Sequence, residues 1–487
     1  MVTHHEIIQL LGQLIRYTIS YYGCFFYFLF GRGRRVPFEK LVPATSTAVA
    51  SSSDATAVQS HSCPYFQPEV GDTEETLLFK KYARLHMYSL ALMFYLWDKP
   101  HYRKASYRED KRDNLRNVAI PGTGCPLSIF TQNKATALFL LLVIYPLLSI
   151  VAAVHGYYYT QRKNRQNAPS ITTSQEQRQV DLAAIAREYS TRLLAPDDWF
   201  SYWRLNCRIA AFHALLNNVP SGYAMENKWL FLQKGAELGV PVSPCLSLPS
   251  IVVKHRNEEG GMGIFFYKNA TIGGDWIIQE KIHNSQWVST MLPPNSPLST
   301  FRVITISRAA LDLSQPPKGV QDITALSCVF RAGREGAATD HDSILFDINP
   351  KTGELLKGTT NAHWYRLGML KEIFRCPWRS DHETTHHPDG NIPVTRNTFQ
   401  NIKEVLHLVE ESHLKMCPDV PLAGWDVVLS ADPALPVCLL EVNLSCNFFR
   451  GTFDRSIYLD FIEDCLVKLH GMRIQLAQIK DDDKKLN

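Results

Sequence analysis

The chain has 487 residues, of which 45% are hydrophobic, so it is long enough for two or three folded domains with ordinary cores. Its formal net charge of +4 is small for this length, which argues against a nucleic-acid partner. The eleven cysteines include no CxxC pair. This pattern argues against zinc and a disulfide framework and favours a reducing compartment.

Two apolar segments near the N-terminus suggest contact with a membrane. Residues 7–30 are apolar and aromatic, are interrupted by Arg16 and precede GRGRR, so this segment could span a bilayer, lie on its surface or act as an uncleaved anchor. Residues 135–156 carry no formal charge over 22 residues, a length that can cross a bilayer, and three tyrosines follow. The alternative for this second segment is a buried core helix. We therefore predict a membrane-associated N-terminal region, 1–160, with membrane lipid as a partner.

Two polar stretches are predicted to be linkers. Residues 43–62 are rich in Ser, Thr and Ala and show no helical or strand period, and residues 161–183 are polar and contain Pro, Ser and Thr. Between them, residues 74–116 are predicted to be helical and basic, either at a membrane surface or as a solvated helix face.

The segment 184–475 is predicted to be a mixed helical and stranded domain, followed by a charged tail, 476–487. Helical periodicity covers 199–216, 228–238, 397–417 and 458–469. Short apolar runs predict strands at SIVVK, WIIQEKI and FRVITI.

The stretch GWDVVLSADPALPVCLLEVN places acids inside two apolar runs around a turn, which predicts a hairpin of two buried strands. Glu441 and Asn443 are two residues apart and therefore share a strand face, and Asp426 lies in the first run. Buried carboxylates need partners. Three oxygen donors suit a hard ion such as Mg2+. The alternative is local bonding to backbone or arginine.

Two further motifs could contribute to a nucleotide site, one at the phosphates and one at the base. Lys254 ends an apolar strand and precedes a loop with Gly260, Gly261 and Gly263, whose backbone N–H groups could cover phosphates. Glu280 lies near the end of WIIQEKI, where an acid and adjoining backbone could bond an adenine edge. Alone, each motif is weak evidence, because a solvated lysine before a turn is common.

Taken in order, six motifs resemble the ATP-grasp fold, and more closely the sugar-transfer-associated ATP-grasp family: ENKWLFLQKGAELGVPVSP, SIVVK with its glycine loop, WIIQEKI, STFRVITI, GWDVVL and LLEVN. The resemblance covers roughly residues 199–471. It implies an α+β fold class, in which an ATP-grasp domain of two α+β subdomains clamps ATP behind the N-terminal membrane-associated helical region.

The resemblance also implies roles for individual residues. The cofactors would be ATP and Mg2+, with Asp426, Glu441 and Asn443 as metal ligands. Residues that would bind ATP or act in catalysis are Lys228 and Lys254 on the phosphates, Gly261 and Gly263 in the covering loop, Glu280 with the backbone of Lys281 and Ile282 at the adenine, and Arg302 near the transferred phosphoryl group. For Arg302 the alternative is a structural ion pair on a strand.

Two features depart from the family pattern or lack a role. The chain has IHNSQWVST where many ATP-grasp enzymes carry a second acid for the ribose, so ribose recognition is in doubt. His283 could substitute for that acid, and the alternative is a solvated loop histidine. The HPDGNIP loop, 387–393, resembles a loop of the closer family but receives no role.

The implied function is an ATP- and Mg-dependent ligase that activates an unknown carboxylate as an acyl-phosphate for attack by an amine or other nucleophile, in glycan or sugar-related metabolism. The alternatives are a membrane-tethered nucleotide-binding scaffold without turnover and an ATP-grasp kinase acting on a hydroxyl. The catalytic domain is predicted to face the cytosol, because Arg162, Lys163 and Arg165 follow the apolar segment closely whereas only Lys134 directly precedes it.

Overall fold

The computed structural model describes residues 4–30, 38–41, 63–91, 134–167, 181–197, 199–217, 219–254, 256–257, 263–340, 343–360, 384–444, 446, 448 and 451–486. The predicted linker 43–62 lies outside these residues, and so does Gly261. Contacts divide the chain into two compact units. We call them the helical unit (Met1–Asn218, Thr360–Glu383 and Asp454–Asn487) and the sheet unit (Val219–Thr359 and Thr384–Phe453).

The described residues form helices and strands in both units. The α-helices are α1 (His4–Leu29), α2 (Glu74–Ala91), α3 (Lys134–Phe139), α4 (Tyr145–Asn167), α5 (Leu182–Leu194), α6 (Trp199–Asn217), α7 (Pro220–Tyr223), α8 (Lys228–Glu237), α9 (Gln286–Ser289), α10 (Ile402–Met416) and α11 (Arg455–Leu486). The strands are β1 (Ser250–Lys254), β2 (Ile264–Lys268), β3 (Thr300–Ser307), β4 (Ile323–Ala332), β5 (Ile344–Ile348), β6 (Leu355–Thr360), β7 (His386–His387), β8 (Ile392–Pro393), β9 (Leu422–Leu429) and β10 (Val437–Asn443).

The helical unit is held together by helix packing and aromatic contacts. In it, α1 packs against α2 and α5, α4 against α5, and α11 against α2 and α6. Tyr82 of α2 stacks on Tyr202 of α6 with ring centroids 5.4 Å apart. The hydroxyl of Tyr458 in α11 donates to Asn206 of α6 at 2.7 Å, so these buried polar atoms are satisfied.

A π-helical turn, Leu140–Ile144, joins α3 to α4. Pro146 explains it locally, because proline lacks an N–H and its ring crowds the preceding turn. The hydroxyl of Tyr21 donates to the carbonyl of Leu141 at 3.0 Å, and that of Tyr22 donates to the carbonyl of Leu142. The irregular turn is thereby tied to α1.

The helical unit differs from the predicted organisation at three places. Helix α4 continues to Asn167, into the predicted linker 161–183, and α11 continues to Leu486, through the predicted charged tail. Helices α5 and α6 cluster with the N-terminal helices instead of with the sheet. Polar residues such as Gln, Arg and Lys are good helix formers, so a polar stretch does not by itself indicate a loop.

The sheet unit contains a six-stranded sheet in the order β10-β9-β3-β4-β5-β6. The pairs from β10 to β5 are antiparallel. One face of the sheet is apolar: Phe301, Phe330 and Trp425 pack there with Val405 and Val409 of α10 in the core of the unit. The mixed helix and sheet architecture agrees with the predicted α+β class at this coarse level.

The predicted β9–β10 hairpin is confirmed. Its strands pair antiparallel, with Glu441 opposite Asp426 and Asn443 opposite Gly424. On the other side of β9, Arg302 of β3 is also opposite Asp426. Because side chains alternate between faces, Glu441, Asp426 and Arg302 form one row across three strands, on the face away from the apolar core.

The strands of SIVVK and FRVITI are also confirmed, as β1 and β3. The prediction of a strand at WIIQEKI is wrong. Residues 277–283 have no regular strand structure. The segment is held by single bonds, such as that from the N–H of Leu246 to the carbonyl of Ile278 at 2.8 Å. The apolar pattern of WIIQEKI therefore belongs to a segment that does not pair with a neighbouring strand along its length.

Candidate functional site

Six charged side chains of the sheet unit form what we call the charged cluster: Lys228, Arg302, Arg331, Asp340, Asp426 and Glu441. They come from helix α8, strands β3, β4, β9 and β10, and the loop after β4. Sequence reasoning had selected four of them and Asn443, and the fold brings these five residues together.

Asp426 is the centre of the charged cluster. It is 4% exposed and accepts bonds from two arginines: Arg302 binds it through two nitrogens, one of them 2.9 Å from Oδ2, and Arg331 binds Oδ2 at 3.2 Å. Burial alone would raise the pKa of Asp426, but attraction by Arg302 and Arg331 outweighs it and lowers that pKa. The carboxylate is therefore held ionised by two guanidinium groups.

Glu441 lies beside this pair at a more exposed position. Its Oε2 is 2.9 Å from Nζ of Lys228, and its Oε1 accepts from Nδ2 of Asn443 at 3.3 Å. Lys228 is the first residue of α8, where Asn227 caps the helix by accepting from the N–H groups of Trp229 and Leu230. The cap fixes where α8 begins and so places Lys228 beside β10.

Arg331 and Asp340 were missed by sequence reasoning. Arg331 donates to Asp340 at 3.0 Å, and the hydroxyl of Thr300 donates to the other oxygen of Asp340. Burial raises the pKa of Asp340, although Arg331 and the Thr300 hydroxyl act in the opposite direction. Arg331 lies two residues beyond Val329, which is opposite Arg302. The β3–β4 register therefore places Arg331 on the same face of the sheet as Arg302, and the sequence alone does not show this register.

The donor set suits Mg2+ in its chemistry, since two carboxylates and an amide oxygen are hard ligands on one face. However, the carboxylate oxygens of Asp426 and Glu441 already accept bonds from Arg302, Arg331, Lys228 and Asn443. Within the described ranges, no group of three or more His, Cys, Asp and Glu side chains is arranged to hold a metal ion. The arginine alternative is therefore observed for Asp426, and the metal assignment stays a prediction.

The predicted phosphate loop is only partly described. Lys254 ends β1, which pairs with β2 in a separate two-stranded sheet, and Gly263 adopts a φ of 63° directly before β2. In the part of the chain that the structure describes, the Lys254 side chain makes no hydrogen bond or ion pair and is exposed. The contacts therefore do not bring Lys254 to the charged cluster.

The predicted adenine segment, Glu280 to Ile282, is anchored at both ends. On one side, Nε2 of Gln279 donates to Oγ of Ser243 at 2.8 Å. On the other, the N–H of Ala431 donates to the carbonyl of His283 at 2.9 Å. The side chains of Glu280 and Lys281 are exposed between these anchors. The backbone of the segment is thus fixed next to the β9–β10 turn.

The segment that follows Asn443 crosses the face of the sheet that carries the charged cluster. A Cβ on Gly424 of β9 would lie 2.6 Å from Cβ of Cys446, and one on Gly451 would lie 2.9 Å from Cγ2 of Val329 in β4. Further on, the N–H of Thr452 donates to Asp347 of β5 at 2.7 Å. Glycines therefore allow this segment to approach the sheet closely.

The HPDGNIP loop has a clear structural role. Arg334 binds both oxygens of Asp389 at 2.6 Å, and these bonds lower the pKa of Asp389 to about 2. The buried ring of His387 bonds to the carbonyl of Gly333 at 3.0 Å and to the N–H of Asp389 at 3.2 Å. The loop thereby fixes the end of β4, close in sequence to Arg331.

No protein-family model and no curated protein matches this chain. One solved structure with detectable similarity is the N5-carboxyaminoimidazole ribonucleotide synthetase from Thermotoga maritima. The sequences are 9% identical, the match covers 45% of this chain and 42% of that one, and the TM-score is 0.19. The match thus spans less than half of that enzyme. A similarity at this TM-score supports no conclusion about fold or function.

Proposed function

We propose that this protein is an ATP- and Mg2+-dependent ligase that activates a carboxylate as an acyl-phosphate for attack by an amine or another nucleophile. The observation that supports the proposal is that Lys228, Arg302, Asp426, Glu441 and Asn443 meet in one patch. These residues come from separate stretches of the sequence, and each was selected for phosphate or metal chemistry.

The cations of the patch would neutralise negative charge in the reaction. Phosphoryl transfer depends mainly on alignment and charge stabilisation, and Lys228 and Arg302 present N–H donors beside the acids. Lys254, Gly261 and Gly263 would add contacts to the phosphates. The backbone of Lys281 and Ile282, with Glu280, would bind the adenine.

Asp426, Glu441 and Asn443 would hold Mg2+, which supplies Lewis-acid stabilisation of phosphoryl oxygens when bound. The ion pairs described above are compatible with this role if bound phosphate takes over the arginine donors, because phosphate and carboxylate accept the same forked guanidinium bonds. Glu441 would then need to release the exposed Lys228 and the bond that it accepts from the Asn443 amide.

A second candidate function follows from the same ion pairs. If the two arginines keep Asp426, the protein binds nucleotide without turnover and acts as a membrane-tethered scaffold. This alternative is favoured because Asp426 is buried and accepts hydrogen bonds from both Arg302 and Arg331.

ATP turnover by the full chain, reconstituted in lipid vesicles, distinguishes these functions. We expect ADP only when Mg2+ and a pool of candidate acids are present, and we expect hydroxylamine to trap the acyl-phosphate as a hydroxamate. Glu441→Gln should abolish this activity, whereas Glu404→Gln, an exposed acid on α10, should retain it. Nucleotide binding without ADP would instead support the scaffold. ADP that depends on an alcohol pool would indicate a hydroxyl kinase, and absence of nucleotide binding would overturn all three proposals.

We also propose that the sheet unit works in the cytosol. Asn443 begins an N-glycosylation sequon with Leu444 and Ser445, so a glycan on this proposed metal ligand would destroy the site in the ER lumen. Protease treatment of sealed microsomes tests the topology, because a C-terminal tag that stays protected until detergent is added would place the unit in the lumen.

A further inference from the structure

The helical unit exposes an apolar stripe along α1. Seven of its large hydrophobic residues, between 38% and 69% exposed, are Ile7, Ile8, Leu11, Ile15, Ile19, Phe26 and Phe30, the last directly after the helix end. At 100° per residue these side chains fall within an arc of about 140°. With 1.5 Å per residue, the stripe is about 35 Å long. We call it the α1 stripe.

A second apolar row lies on the neighbouring helical segment. Phe139, Val143 and Leu147 are four residues apart and between 41% and 56% exposed. This row flanks the π-helical turn, whose carbonyls accept the hydroxyls of Tyr21 and Tyr22 of α1. The two exposed rows therefore belong to adjoining helices of one unit.

The charges around the α1 stripe favour a lipid surface over a protein core as its partner. The only acid of α1 is Glu6, which lies outside the arc of the stripe, whereas Arg16 is exposed at the edge of the stripe. In the sequence, three arginines follow Phe30 and three basic residues occupy the last turns of α4: Arg32, Arg34, Arg35, Arg162, Lys163 and Arg165. An apolar strip with basic flanks matches a bilayer with anionic headgroups.

Helix α4 does not have the surroundings of a membrane span. Leu140–Tyr158 is the one segment of the described residues that is long and apolar enough to cross a bilayer, but 39% of its window is buried inside the protein. Helix α5 runs along it: Tyr157 accepts from the N–H of Asp181 at 2.7 Å, and Tyr145 donates to the carbonyl of Arg192 at 2.8 Å.

The helix that covers α4 is charged. A Cβ on Gly156 would lie 2.8 Å from the carboxylate of Glu188, which is paired with Arg192 at 2.6 Å. Arg187 and Asp181 of the same region are mostly exposed. Placing α4 across a bilayer in this arrangement would bring α5 into the membrane beside it, together with Arg187 and the Glu188–Arg192 pair, which is unfavourable.

We propose that the α1 stripe, with the adjoining row of Phe139, Val143 and Leu147, docks in the plane of an anionic membrane surface, and that neither α1 nor α4 crosses the bilayer. The ligand is the lipid surface itself: acyl chains accept the apolar side chains and headgroup phosphates accept the basic flanks. This inference does not depend on the proposed catalytic function.

Flotation of the full chain tests the docking. The chain is synthesised in a cell-free system in the presence of sealed vesicles of phosphatidylcholine with about 30% phosphatidylserine. The anionic lipid gives the vesicles a negative surface potential, which attracts basic residues. We expect the wild-type protein to float with the vesicles and to be released at alkaline pH by carbonate, which extracts docked proteins but not spanning ones. The double variant Ile15→Glu/Ile19→Glu should bind at least about tenfold more weakly, because both charges enter the buried face.

Gln9→Glu/Gln13→Glu is the matched control, because Gln9 and Gln13 are exposed on α1 outside the stripe and the same two charges are added there. It should float like the wild type. Far-ultraviolet circular dichroism confirms that each variant keeps its helices. Resistance of the wild type to carbonate would overturn in-plane docking in favour of a span. Failure to float, or a stripe variant that binds as well as Gln9→Glu/Gln13→Glu, would rule out lipid as the ligand. A dimer that forms without lipid and dissociates in the double variant would assign the stripe to a second copy.

Discussion

Asp426→Asn should destabilise the protein far more than Glu441→Gln, although both remove one negative charge from the charged cluster. Asp426 is buried and paired with Arg302 and Arg331, whose side chains are 7% and 12% exposed. The asparagine would leave two buried guanidinium groups without this counter-charge, a loss of about 3–5 kcal/mol for a broken buried ion pair. By contrast, Lys228 beside Glu441 is 66% exposed, so solvent screening limits that loss to about 1 kcal/mol or less.

Urea unfolding followed by tryptophan fluorescence measures this difference, because Trp425 is buried next to Asp426 in β9. With a denaturant slope of about 2 kcal/mol per M, Asp426→Asn should lower the midpoint by roughly 2 M and Glu441→Gln by less than about 0.5 M. If the carboxylates of Asp426 and Glu441 hold the metal, ADP release should be lost in both variants. Equal midpoints for the two variants would refute the reasoning that burial decides the cost.

The pH dependence provides a second check on the same pair. The pKa of Asp426 is lowered by the two arginines against the effect of burial, so the folded state binds its proton less readily than the unfolded state. Its stabilisation is therefore complete above the ordinary value of 3.8 and is lost as the pH falls through the lower folded value. The difference in stability between wild type and Asp426→Asn should be constant from neutral pH to about pH 5 and should shrink in stronger acid.

Three further predictions concern single side chains of the sheet unit. Lys254→Met should weaken ATP binding, measured by calorimetry, because it removes a proposed phosphate contact without adding bulk; unchanged affinity would mean that the lysine is merely solvated. Burial lowers the pKa of His413 from 6.5 to about 4, so unfolding free energy should fall by up to about 3 kcal/mol as the pH drops through this window, and His413→Gln should flatten the slope. An equally steep profile in that variant would exclude His413 as the cause. Asp389→Asn should speed hydrogen exchange at the N–H of Glu335, which donates to Asp389 at 3.0 Å, while an unchanged rate would show that the Arg334 pair does not hold the loop.

Local patterns were sufficient to predict the β9–β10 hairpin. Two apolar runs around DPALP indicated the strands, and the two-residue spacing of Glu441 and Asn443 placed them on one face. The row with Arg302 required more than a local pattern, because it depends on which strands become neighbours. Here the resemblance selected Arg302 for phosphate chemistry, and the fold shows its bidentate pairing with Asp426.

The partners Arg331 and Asp340 could not be predicted for a related reason. Arg331 is 95 residues from Asp426 in the sequence, and its position on the shared face follows from the β3–β4 register. That register includes an irregularity between Ile304 and Thr305, which no pattern of apolar residues specifies. Side-chain pairing across a sheet is thus a property of tertiary register more than of composition.

Charge balance unites the two interpretations of the charged cluster. Without ligand, the cations Lys228, Arg302 and Arg331 match the acids Asp340, Asp426 and Glu441, so burial costs less than it would for any of these charges alone. A triphosphate with its metal ions brings both signs of charge together and could exchange partners with the cluster while leaving little net charge buried. A triphosphate alone would bring excess negative charge. We therefore expect ATP binding to depend on Mg2+, and equally tight binding in excess chelator would show that the acids hold arginine and not metal.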